Sequence, residues 1–182
     1  MTLKPLLFSD LHERHTGLTE NISRNYSEAV RVCLDRHHLS PTEFSLTDND
    51  KQDRTQTEWI ATDDRTRNAW ANRDDATRDG AYGASLAAVE LMRGLVAVRR
   101  AETRTGADYY LGEPGTLLHD LEASYRLEVS GTDEGNETTI FARLRQKLEQ
   151  ARKGSSNLPA IASVVGFAAL RIASADLVAA ES

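Results

Sequence analysis

The sequence predicts an α/β fold, a small mixed sheet flanked by helices, with an N-terminal helix and a hairpin placed ahead of it. Three observations carry this expectation. Over residues 74–103 apolar side chains surround most of a helical circumference. Two short strand-like runs follow, at 107–111 and 124–129, the first bounded by glycines and the second ending just before one. An amphipathic stretch at 138–153 then leads into a β-branched apolar run at 160–170. A helix apolar all round is covered on several sides, and a continuous apolar strand is covered on both faces.

Taken in order, residues 18–38 place Ile22, Tyr26, Ala29, Val30, Cys33 and Leu34 at helical spacing, with Thr19 as N-cap and Pro41 beyond the end. Residues 43–47 and 55–62 alternate as strands around Asp48-Asn49-Asp50-Lys51, which predicts a hairpin anchored by Trp59. A short helix is expected from Asp63 to Asn72. On the long helix Gly83, Ala87, Glu90, Gly94, Ala97 and Ala101 fall on one line, so small residues with one carboxylate should face the sheet closely. A helical turn is expected near 117–121. In the 138–153 helix Ile140, Phe141, Leu144, Leu148 and Ala151 form the apolar stripe, and the type of the last segment, to Val178, stays open.

Composition narrows the function classes. With 182 residues, 40% hydrophobic and 27% charged, the chain suits one compact unit. A net charge of −6 opposes broad attraction to a phosphate backbone, so contact with nucleic acid should be local or aided by a protein partner. Cys33 is the only cysteine, which excludes an intrachain disulfide, and a cytoplasmic protein is expected. The apolar stretch at 158–180 opens on Pro159 and is interrupted by Arg171 and Asp176, so no membrane span is expected there.

The order helix, strand, strand, helix, strand, with Asp108 opening one strand and Glu128 near the end of the next, resembles the restriction-endonuclease-like core of the PD-(D/E)XK nuclease superfamily. The resemblance covers residues 74–170. It implies a core domain at 74–182 with residues 1–73 as a helix and hairpin extension packed on it. It further implies that Asp108 and Glu128, joined by Glu90 from the helix, hold Mg²⁺ or Mn²⁺. The family's lysine, two residues after the second acid, is here Ser130. In some members the basic residue has moved to the following helix, where this chain has Arg143, Gln146 and Lys147, and Lys147 is expected to replace it. The catalytic set implied is therefore Asp108, Glu128 and Lys147, in a metal-dependent nuclease of a restriction or phage-defence system, working as a homo- or hetero-oligomer. Mg²⁺ bound by carboxylates and substrate phosphate, with a nearby cation, suits phosphodiester hydrolysis.

The same residues also have a structural reading. Glu90 would pair with Arg93 or Arg126, Asp108 would cap a turn, and Glu128 would be a strand residue beside Arg126, leaving a fold used only for binding in a larger assembly. Arg99, Arg100 and Arg104 either meet phosphates near Asp108 or complement a helix C-terminus. His12, His15, Cys33 and His37 have only a weak zinc-like spacing, and Cys33 falls on the apolar stripe.

Overall fold

The structure is a computed structural model that describes residues 4–154 and 156–177. Its elements are α1 (Glu20–Asp35), β1 (Thr42–Asp48), β2 (Lys51–Thr57), α2 (Asp64–Ala69), α3 (Arg73–Arg93), β3 (Val96–Arg100), β4 (Tyr109–Gly112), β5 (Tyr125–Thr132), α4 (Glu137–Arg152), β6 (Ala160–Gly166) and β7 (Arg171–Asp176). The strands form one open mixed sheet of seven, ordered β2-β1-β7-β6-β5-β4-β3. The β1–β7 and β5–β6 pairs are parallel and the others antiparallel.

Local chemistry accounts for most of the boundaries. Thr19 caps α1 by accepting from the Ile22 N–H, Asp63 caps α2, and Asn136 caps α4. Asn49 and Asp50 form the two-residue link of the β1–β2 hairpin, with Asn49 at φ 52°. Trp59 is buried and its Nε1 donates to Asp35 at 2.6 Å. Residues 1–73 thus supply two strands of the common sheet, joined to it through β7.

Two expectations about long elements need correction. The helix starting near residue 74 stops at Arg93, because Gly94 adopts φ 68° and its N–H closes on the Glu90 carbonyl. The β-branched run beyond Gly94 becomes β3, an edge strand, so Ala97 and Ala101 do not continue the helical stripe. The apolar run at 160–170 likewise splits, folding back through Leu170 at φ 48° so that β6 and β7 pair antiparallel. Residues 117–121 form turns, not a helix.

The two faces of the sheet are covered unequally. On one face α1 and α3 bury Phe44, Leu46, Leu127, Val129, Ile161, Val165 and Ile172 in the main core. On the other, Ile140 and Leu144 of α4 cover Ala162, Val164 and Ala173. β6 is buried along its whole length, as a strand covered on both sides must be. Gly80 and Gly83 of α3 face helix α1, whereas Ala81 packs on Gly131 of the sheet: a Cβ on Gly80 would stand 3.3 Å from the Ala29 carbonyl, and one on Gly83 would stand 3.1 Å from Tyr26 Cβ and Val30 Cγ2. Close helix–helix approach is what the two glycines permit.

Candidate functional site

β5 sends alternate side chains to opposite faces. Leu127 and Val129 enter the main core beneath α3, so Arg126, Glu128 and Ser130 face α4. Lys147 of α4 meets Glu128 there, Nζ to Oε2 3.2 Å, with the two side chains 27% and 10% exposed. Burial lifts the Glu128 carboxyl above its ordinary range, the nearby Asp108 charge adds to this, and Lys147 and Arg126 offset it only in part. One turn earlier on α4, Arg143 Nη1 donates to the Gly131 carbonyl at 3.2 Å and lies 3.5 Å from Ser130 Oγ. Arg126 is nearly fully buried; its Nε donates to the Leu158 carbonyl at 3.1 Å, and its Nη1 has no hydrogen-bond partner among the described residues.

Asp108 lies one residue before Tyr109, which pairs with Leu127, so the main chains bring Asp108 beside Glu128. Their side chains part. Asp108 Oδ1 accepts from the Tyr82 hydroxyl of α3 at 2.9 Å, and Oδ2 accepts from the Val129 N–H at 2.7 Å. Arg100 donates to the Tyr82 hydroxyl at 3.1 Å, lies 3.8 Å from Asp108, and sits over the rings of Tyr82 and Tyr109. Behind them the Tyr26 and Tyr109 hydroxyls are 2.6 Å apart. Burial pushes all three tyrosine hydroxyls above their ordinary value.

Glu90 is used elsewhere. Arg14 Nε reaches both of its oxygens at 2.8 and 3.0 Å, and His15 Nε2 donates to it at 3.1 Å. His15 Nδ1 accepts from the Ala97 N–H at 2.9 Å, which fixes the proton on Nε2 and ties the N-terminal segment to β3. Burial alone would raise the Glu90 carboxyl, yet the hydrogen bonds from His15 and Arg14 outweigh it and hold the group below its ordinary value. Its partners are thus neither Arg93 nor Arg126; Arg93 bridges Asp48 and Asp176.

No group of three or more His, Cys, Asp or Glu able to hold a metal occurs among the described residues. Mg²⁺ requires oxygens converging on near-octahedral geometry. Here one carboxylate answers to α3 and the Val129 N–H, one to Lys147 and one to the N-terminal segment, so Glu90, Asp108 and Glu128 do not fit a shared Mg²⁺ or Mn²⁺ site. The other candidate ligands are also dispersed: His37 Nε2 contacts Asp133 at 2.9 Å, and Cys33 is buried with its thiol pushed up to about 12, burial being the main cause. Arg99 pairs with Glu102, which leaves Arg100 as the arginine of that group engaged with Asp108.

Sequence reasoning did not find Arg14 or Tyr82 as the partners of Glu90 and Asp108. Arg14 is 76 residues from Glu90 and Tyr82 is 26 from Asp108, and no local spacing signals either contact. Between α3 and α4 lies a cleft of about 270 Å³ lined by Asp74, Thr77, Arg78, Ser130, Gly131 and Arg143. No family model, curated protein or solved structure matches the chain.

Proposed function

We propose that this protein is a non-hydrolytic binding subunit of a larger assembly, built on an α/β core that resembles the PD-(D/E)XK nucleases. The resemblance draws support from the order α3-β4-β5-α4-β6, into which β3 is inserted after α3, with Asp108 just before β4 and Glu128 within β5. The observation that carries the binding role is that every candidate acid is engaged by donors of the protein itself: Tyr82 and the Val129 N–H on Asp108, Lys147 on Glu128, Arg14 and His15 on Glu90. A carboxylate that already accepts from protein donors has fewer lone pairs left to offer a metal.

The experiment is incubation of the purified protein with DNA and RNA in Mg²⁺ or Mn²⁺, beside Asp108→Ala and Glu128→Ala. No cleavage above the level of the two variants is expected. Cleavage by the wild type that both substitutions abolish would overturn the binding role. It would instead favour the second reading, a metal-dependent nuclease acting on nucleic acid through Asp108, Glu128 and Lys147. One observation speaks for that alternative: Lys147 stands beside Glu128, where the resemblance asks for a cation.

A further inference from the structure

The seam between β5 and α4 holds more cations than acids. Arg126, Glu128 and Ser130 project toward α4 at two-residue steps, and Arg143 and Lys147 meet Ser130 and Glu128 from the helix. Glu128 is the acid of this row, and it is paired with Lys147. Arg126 is 2% exposed, with one carbonyl on Nε and no hydrogen-bond partner on Nη1 among the described residues. A guanidinium taken from water is costly, and Glu128, the acid whose charge it meets, is shared with Lys147. Arg143 has a carbonyl and a distant hydroxyl as neighbours but no carboxylate partner among the described residues.

This positive seam opens at Ser130 into the cleft between α3 and α4. The floor there is main chain because Gly131 admits nothing larger: a Cβ would stand 2.8 Å from Ala81 Cβ and 2.9 Å from the Thr77 carbonyl. Ser130 adds a hydroxyl donor to the Arg143 fork. Arg78 on the opposite wall is held by Asp75 and Asp79, and Asp74 lies at the rim. A diffuse anionic surface is therefore disfavoured, and a ligand must earn its place through directed hydrogen bonds to Arg143 and Ser130.

We propose that this cleft binds a phosphate group, of the kind presented by a nucleotide or a nucleic-acid strand, with the Arg143 guanidinium and the Ser130 hydroxyl as its direct contacts. The planar fork of arginine matches a phosphate's oxygens two at a time. The inference goes beyond the binding role by naming a ligand chemistry, and it does not depend on whether hydrolysis occurs. It is accordingly tested in EDTA, so that its failure is distinct from an outcome of the cleavage assay.

Amide shifts of the nitrogen-15-labelled protein are followed during titration with inorganic phosphate and, separately, with a short 5′-phosphorylated single-stranded oligonucleotide at low salt. Saturable shifts at Ser130 and Gly131 are expected. Arg143→Gln should weaken binding roughly tenfold or more, the scale of a hydrogen bond to a charged group. Ser130→Ala should weaken it less, and Arg145→Gln, an exposed arginine of the same helix outside the cleft, should leave it unchanged. If phosphate and oligonucleotide compete, the source is a nucleic-acid strand; if phosphate alone saturates, it is a small phosphorylated molecule; either supports the site. Three results overturn it: no shift at those amides with either probe, Arg143→Gln binding as the wild type does, or equal losses in Arg143→Gln and Arg145→Gln.

Discussion

Replacing Lys147 with Met keeps an unbranched side chain as far as the ε carbon and removes the ammonium that faces Glu128. Removing one partner of a fully buried pair costs about 3–5 kcal/mol. Lys147 is 27% exposed, so water screens part of this interaction, and the expected loss at pH 7 is about 1–3 kcal/mol. The loss should depend on pH with a definite sign. Burial already raises Glu128 above its ordinary 4.5, so the folded chain keeps a proton that the unfolded chain releases as pH climbs past 4.5. Stability therefore falls as pH rises through that window, and loss of Lys147 lifts the folded value further and deepens the fall. Urea unfolding followed by far-ultraviolet circular dichroism at pH 7 and pH 5 measures this directly. Lys147→Met should lose clearly less at the lower pH, and Glu128→Gln with Lys147→Met should recover most of the single-variant loss at pH 7. Equal losses at both pH values, with no recovery in the double variant, would show that the lysine stem and not its charge matters. The electrostatic account of the seam would then fail.

Glu90→Gln should also destabilise the fold at pH 7, by about 1–3 kcal/mol, because Arg14 and His15 lose their shared acceptor charge. Since the folded carboxyl lies below its ordinary 4.5, its contribution is present above that value and disappears as pH falls through the folded one; acid unfolding of Glu90→Gln should lack that component. A variant as stable as the wild type at pH 7 would free Glu90 from its ion-pair role. Gly131→Ala should overpack the contact with α3 at a cost of about 1–3 kcal/mol. Gly94→Leu meets open space and should cost only the left-handed backbone strain, about 1–2 kcal/mol, with no distortion of the core in nuclear magnetic resonance spectra. That replaces the overpacking expected when Gly94 is placed on a continuous helical stripe.

Local pattern made α1, α2, α4 and the existence of the β1–β2 hairpin legible in the sequence, because each is specified by residues within a turn or two of one another, although the second strand of the hairpin runs over Lys51–Thr57 and not over 55–62. Thr19 is read as a cap from its neighbours alone. The α3–β3 boundary was harder, since Leu95–Val98 is apolar enough to extend a helix. The left-handed geometry of Gly94 and the pairing of β3 with β4 decide for a strand. β7 had the same ambiguity: its residues form a strand because β1 and β6 lie on either side to take up its main-chain hydrogen bonds.

For the candidate site, the chain's own residues determined that Asp108 would stand at the start of one strand and Glu128 within the next, and that Arg143 and Lys147 would share one face of the following helix. Alternation and helical pitch act over a few residues and need no knowledge of the rest. Which carboxylate meets which partner was decided only by tertiary structure. Lys147 reaches Glu128 because the β5-to-β6 crossover lays α4 over that face of the sheet, and Glu90 meets Arg14 and His15 because the N-terminal segment crosses β3. Electrostatic pairing depends on distance in space, and partners 76 residues apart leave no periodic trace in the order of the chain.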